Sequence, residues 1–166
     1  MVPDPALRLI QSFAGTSGAA TDDDLLRTRE QAASWLRTME LLPAEGALTN
    51  SEHGALLRLR TSIGDVLAAH AGSSEDADAA ARLTRALADG RLVLTVGPDS
   101  TVRLASAARS SYPHIVAAIA VAIAGSAASG QWRRLKACLT AGCGQVFYDD
   151  SPSSGAQRCR AHAGAG

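Results

Sequence analysis

The chain has 166 residues, 46% apolar and 19% charged, which suits one ordinary globular core with an appendage and excludes a disordered chain. Sixteen basic residues balance sixteen acidic ones, so bulk charge offers only a weak footprint for nucleic acid. Aromatics make up 4%, so the core must be built from Ala, Leu, Val and Ile, and small residues at that density favour closely packed helices.

Pro5 to Phe13 predicts a short helix that ends in the loop Gly15-Thr16-Ser17-Gly18. Thr21-Asp22-Asp23-Asp24 predicts the start of a second helix, with acids where the helix dipole favours them. Leu25, Ala32, Leu36 and Met39 then recur on one face until Pro43. Thr49-Asn50-Ser51-Glu52 has the form of a capping box and is followed by the stripe Leu56, Leu59, Ile63, Val66, Leu67 and His70, with Gly72 as terminator. Ser74-Glu75-Asp76 opens a further helix that turns Leu83, Ala86 and Leu87 inward and stops at Gly90.

The period then changes. Leu92–Val96, the turn Gly97-Pro98-Asp99-Ser100, and Thr101–Leu104 predict a β-hairpin. Pro113 begins an apolar helix through Ala128. Its run from Ile115 is about fourteen residues, interrupted by Gly125 and Ser126, short of the roughly twenty that a membrane span needs. It reads as a buried core helix. Ser129-Gly130 is a break, and Gln131–Ala137 a short basic helix or strand. The N-terminus, Met1-Val2-Pro3-Asp4-Pro5, has neither a basic region nor an apolar run of the secretory kind, which predicts cytoplasmic residence. The expected fold is mainly α, an α+β chain with one hairpin near 92–104. A helical domain over 1–130 is followed by a small module over 131–166, and no internal repeat is present.

All three cysteines fall in that last module: Cys138 and Cys143, then Cys159 with His162 three positions on. Thiolates with an imidazole form a Cys₃His set suited to the tetrahedral, borderline-soft chemistry of Zn²⁺. Such a closed site is a structural staple for a segment too small to fold alone. Reduced buried thiols, a redox thiol or a disulfide are the other readings of the same residues. If His162 does not ligate, three thiolates and a water would make a catalytic-type site, with Asp149 or Asp150 as base. The module carries five basic residues, Arg133, Arg134, Lys136, Arg158 and Arg160, against Asp149 and Asp150, a net +3, and the remainder of the chain is therefore −3. These five could contact phosphates or form a solvated face, and five contacts at most would bind DNA weakly and salt-sensitively. Trp132 and Phe147 are expected to pack over the module rather than stack on bases. His53, His70 and His114 read as structural, His70 as a helix-closing cation. Trp35, with Arg37 and the Leu56–Leu67 helix, packs in the core or lines a small-molecule pocket. The single lysine among sixteen basic residues, with abundant Ala and Gly, suggests a GC-rich bacterial genome.

From Trp132-Arg133-Arg134-Leu135-Lys136 onward the chain resembles the CGNR zinc-finger family of bacterial proteins. The likeness rests on that lead-in, Cys138 and Cys143, Val146-Phe147-Tyr148-Asp149, Ser151 and Arg158-Cys159, and loosely on the order of elements in the body. It implies an N-terminal stress-response regulatory domain, called ABATE, and a C-terminal finger that binds zinc. The family closes its finger with a fourth cysteine in a Cys-Gly-Asn-Arg tetrapeptide, five positions after the third. Here that position is Gly164, and neither the tetrapeptide nor the basic tail that commonly follows it occurs, leaving His162 as the candidate fourth ligand. The resemblance implies a transcription regulator, not an enzyme. Its module would contact DNA or a protein partner, and its body would sense a small-molecule effector or form a homodimer. The rival reading is an accessory or ligand-binding protein with a structural zinc clip. A small metalloenzyme is the third.

Overall fold

A computed structural model describes residues 4–18, 23–72, 76–108 and 111–164. Five helices and two short antiparallel hairpins occur in these residues: α1 (Pro5–Ala14), α2 (Arg29–Thr38), α3 (Asn50–His70), α4 (Ala77–Ala88), β1 (Leu92–Val96), β2 (Val102–Ser106), α5 (Ser111–Ala128), β3 (Leu135–Ala137) and β4 (Val146–Tyr148). The mainly helical architecture expected from the sequence is the one observed.

The longest helix, α3, forms the axis. Thr49 and Glu52 close its first turn reciprocally: the Glu52 N–H donates to Thr49 Oγ1 at 3.2 Å, and the Thr49 N–H donates to the Glu52 carboxylate at 2.7 Å. Leu56, Leu59, Ile63 and Leu67 are fully buried along one stripe. They share one core with Leu7, Ile10 and Phe13 of α1 and Ile115 and Ile119 of α5. Of the described helices, only α5 is long and apolar enough to cross a bilayer. Here its Ile115, Val116, Ile119 and Ala122 join the common core.

The second helix begins later than the acidic run suggests. Thr21 and Asp22 lie outside the described residues, and α2 starts at Arg29 behind a capping box of Thr28 and Gln31, with bonds of 3.1 and 3.0 Å. Asp24 serves a tertiary purpose instead. It takes a bidentate pair of bonds from Arg60 of α3 at 2.6 and 2.8 Å, and one from the Leu26 N–H at 2.8 Å. The turn therefore presents Leu26, not Leu25, to the core, and Leu25 is exposed. Trp35 packs against Phe13 with ring centres 5.9 Å apart, and the Arg37 guanidinium donates to the Gly46 carbonyl. Core packing is the role of Trp35.

In the β1–β2 hairpin Leu94 pairs with Leu104 and Val96 with Val102, and all four are exposed on one face. The hairpin meets α5 through β2. The short β3–β4 hairpin alternates differently. Leu135, Ala137, Val146 and Tyr148 share the face turned to the body and pack in or against its core, whereas Lys136 and Phe147 point away.

The Arg60 hydrogen bond holds the Asp24 carboxyl below its ordinary range despite burial, with a further contribution from the Leu26 N–H. A carboxyl depressed in the folded state stabilises above its unfolded pKa of about 4 and loses that stabilisation as the pH falls through the folded value. Asp24→Asn is therefore expected to cost about 2 kcal/mol near neutrality. In urea titrations the deficit relative to the parent should shrink as the pH drops beneath about 4.

Candidate metal centre

The four side chains expected as ligands come from three short backbone features that the β3–β4 hairpin holds together. Cys138 directly follows β3, and its N–H continues the ladder to the Gln145 carbonyl at 2.9 Å. The chain then turns tightly, with the Cys143 N–H donating to the Thr140 carbonyl at 3.0 Å and glycines at positive φ at 142 and 144. At Gly144 the space as well as the φ demands glycine: a Cβ would lie 2.7 Å from the Gly18 carbonyl oxygen at the end of the 3-10 turn after α1. The third feature is the turn from Cys159 to His162, closed by the His162 N–H on the Cys159 carbonyl at 2.9 Å. It returns to the first through the Leu139 N–H, which donates to the Gln157 carbonyl at 3.1 Å.

The three Sγ atoms and one imidazole nitrogen all lie within 4.8 Å of one another. Cys143 Sγ is 3.8 Å from Cys159 Sγ, and His162 Nδ1 is 3.3 Å from Cys159 Sγ and 3.7 Å from Cys138 Sγ. A tetrahedral centre with metal–sulfur bonds of about 2.3 Å has sulfur–sulfur edges of about 3.8 Å, so this donor set is spaced to hold a small thiophilic ion. The electrostatics agree. Burial opposes the Cys138 thiolate, but hydrogen bonds from the Cys159 backbone and from Thr140 outweigh it and bring the thiol down to about 6. Burial, with the neighbouring Cys138 and Cys159 thiols, pushes Cys143 up to about 11. One thiolate thus forms readily at Cys138, and a second beside it at Cys143 is opposed.

A second cluster backs the first. Lys136, expected among the cations facing a phosphate, is 2% exposed. Its ammonium donates to Asp149 Oδ2 at 2.7 Å, to the Ala156 carbonyl at 3.1 Å, and to the Ser154 carbonyl. Asp149 also accepts from the Ala156 N–H at 2.9 Å, the Ser151 N–H at 3.0 Å and the Ser151 hydroxyl at 2.6 Å. Against burial, these bonds, led by Lys136, hold its carboxyl far below the ordinary carboxylate range. A carboxylate so engaged is no general base, which removes Asp149 from that part; Asp150 is exposed beside it. Arg134 grips the same loop through the carbonyls of Asp149 and Ser151 at 3.0 and 2.9 Å. Of the five basic residues singled out in the sequence, Arg133, Arg158 and Arg160 are the exposed ones. Lys136 is thus corrected from a phosphate contact to a buried loop clamp.

Sequence reasoning missed this clamp, although the alternation Leu135-Lys136-Ala137 in a short strand does put the lysine opposite the core-facing residues. It also missed the task of His70, whose Nδ1 lies 3.0 Å from the Leu135 carbonyl and so donates to it, fixing β3 to the end of α3. Burial lowers the His70 pKa, so the ring is a neutral anchor there rather than a dipole-facing cation. Trp132 packs edge-on against this ring at 5.1 Å and Phe147 is half-buried. His53 bonds the Leu26 carbonyl through Nε2 at 2.8 Å, and His114 is exposed.

A helical body thus carries a Cys₃His cluster able to hold a metal ion. The model of the ABATE family, described as "Putative stress-induced transcription regulator", matches residues 4–130, and the chain belongs to that family. No curated protein matches the chain. The family is one of regulators, not of enzymes, and the Cys₃His cluster is consistent with a finger of the CGNR type.

Lys136→Met would leave Asp149 buried without its cation. Equilibrium unfolding should register a loss of about 3–5 kcal/mol. An unchanged midpoint would mean that the pair does not hold the loop.

Proposed function

We propose that this chain is a cytoplasmic bacterial regulator in which residues 1–130 form the regulatory domain and residues 131–166 a module closed by structural Zn²⁺. The observation that carries the reading is the convergence of Cys138, Cys143, Cys159 and His162 to tetrahedral spacing at the end of a regulator-family body. Three thiolates and a neutral imidazole fill a zinc ion's four positions and leave none for a reacting water, so the metal would act as a staple. Bound zinc would supply the charge that lets the Cys143 thiolate coexist with its neighbours, and the chain's own residues would do the rest: Lys136 and Asp149 fix the loop, and His162 donates through Nδ1.

The module would contact DNA or a protein through Arg133, Arg158 and Arg160, whose side chains are exposed. Three phosphate contacts predict weak, salt-sensitive association. A second reading, an accessory protein whose finger is only a clip, is favoured by one specific observation. Two of the five candidate cations, Arg134 and Lys136, are spent on internal hydrogen bonds.

Metal analysis should find one zinc per chain, and a chelator should lower the melting temperature. Cys159→Ser is expected to abolish stoichiometric binding. His162→Ala should weaken it about a hundredfold or more, since one quarter of the roughly 10–16 kcal/mol of such sites is about 3 kcal/mol. Undiminished retention in that variant would remove His162 as a ligand. Fluorescence anisotropy with a DNA duplex separates the two readings. Regulation through DNA predicts an affinity that falls roughly 40-fold between about 50 and about 200 mM salt for three contacts, and no binding at the lower salt favours the accessory protein.

A further inference from the structure

Between α3, α4 and the start of α5 lies a groove of about 540 Å³, a size that accommodates a small organic molecule. Its floor is apolar, from Ala55, Leu57 and Ala86, and its walls carry Arg58, Arg85 and Tyr112. Tyr112 is 7% exposed. No hydrogen bond to its hydroxyl occurs among the described residues, and because no buried side-chain oxygen among them lacks a partner, the hydroxyl opens to the groove. Arg58 and Arg85 have no ion-pair partner among the described residues. The third arginine on the lining, Arg82, is engaged by Asp65 at 3.1 Å and by Asp76 at 3.6 Å. Asp89 is the one acid on the lining, so cations outnumber it.

We infer that this groove binds a small organic anion, an oxyanion head on a compact apolar body, with Arg58 and Arg85 taking the head and Tyr112 donating a hydrogen bond to it. Burial, together with the charge of Asp89, pushes the Tyr112 hydroxyl up to about 12, so it stays protonated and available as a donor across the physiological range. The apolar floor would take the body of the molecule, and the arginines would select its charge by charge-assisted hydrogen bonds. The groove is assembled from helices that also form the common core, so filling it could tighten α4 against α3. The inference deepens the regulator reading by giving the body an effector class, and it rests on that reading only for the word effector.

The test is isothermal titration calorimetry of the zinc-loaded full chain, at low salt in a phosphate-free buffer, with benzoate, phenyl phosphate and the neutral benzyl alcohol as probes. Benzoate or phenyl phosphate should bind saturably at one site per chain, the tighter of the two identifying the head as carboxylate or phosphate. Benzyl alcohol should bind about tenfold more weakly or not at all. Arg58→Ala and Arg85→Ala should each weaken the anion about tenfold. Both arginines are exposed, so the unliganded melting temperatures should not change. Tyr112→Phe should weaken binding severalfold while leaving the unliganded chain about as stable as the parent, because its hydroxyl makes no hydrogen bond among the described residues. No saturable heat from either anion at millimolar concentration, equal binding of benzyl alcohol, or unchanged affinity in both arginine variants would overturn the proposal. Probe binding without any DNA binding would keep the groove and sink the DNA reading, and DNA binding without probe binding would do the reverse.

Discussion

A strand of three residues joins the helical core to the cysteine-bearing segment. In β3, Leu135 enters the core shared with α1, α3 and α5, while its neighbour Lys136 turns the other way into a shell of loop carbonyls and the Asp149 carboxylate. Alternation along a strand thus makes one backbone segment the anchor for two unlike environments, one apolar and one ionic. His70 then holds the Leu135 carbonyl, so the end of the axial helix fixes the position from which Cys138 departs. The geometry of the metal cluster is set by this strand more than by the cysteine loops themselves, which contain several glycines and little apolar surface.

What the sequence could disclose follows from how local each signal is. The cysteine and histidine set is legible because its members are close in sequence and are joined by two turns. The α3 capping box and the Leu56–Leu67 stripe are legible for the same reason. The start of α2 misleads because two candidate N-terminal signals compete within eight residues. The acidic run at 22–24 looks stronger, yet Asp24 answers to Arg60, 36 positions away, and Thr28 with Gln31 does the capping. That displacement also exchanges Leu25 for Leu26 in the core. Lys136 misleads differently. Charge in a basic segment normally signals solvent or a polyanion, and only the pairing register of a strand too short to predict reveals the buried face. The groove around Tyr112 was invisible because its walls come from three helices whose mutual packing no periodicity encodes.

The allocation of charge explains why a neutral chain can still present distinct surfaces. Arg60, Arg134 and Lys136 are consumed internally, each tying together segments distant in sequence. The exposed arginines are scattered, Arg8, Arg91 and Arg103 among them, and they gather only at the groove on the body and around the cysteine-bearing segment. Binding at either place would depend on shape and a small number of directed bonds rather than on a broad field, which would favour selectivity over strength.

The β1–β2 hairpin has a temporal consequence. It leaves the ribosome before α5, so β2 is at first without the helix that packs against it, and Leu94, Val96, Val102 and Leu104 stay exposed afterwards. Both of its strands are edges, with backbone donors and acceptors free to pair with another extended chain. During synthesis this makes a ribbon of about fifteen residues the segment that most needs shielding by the cell's folding machinery. The same ribbon keeps an exposed apolar strip beside two open strand edges in the folded protein.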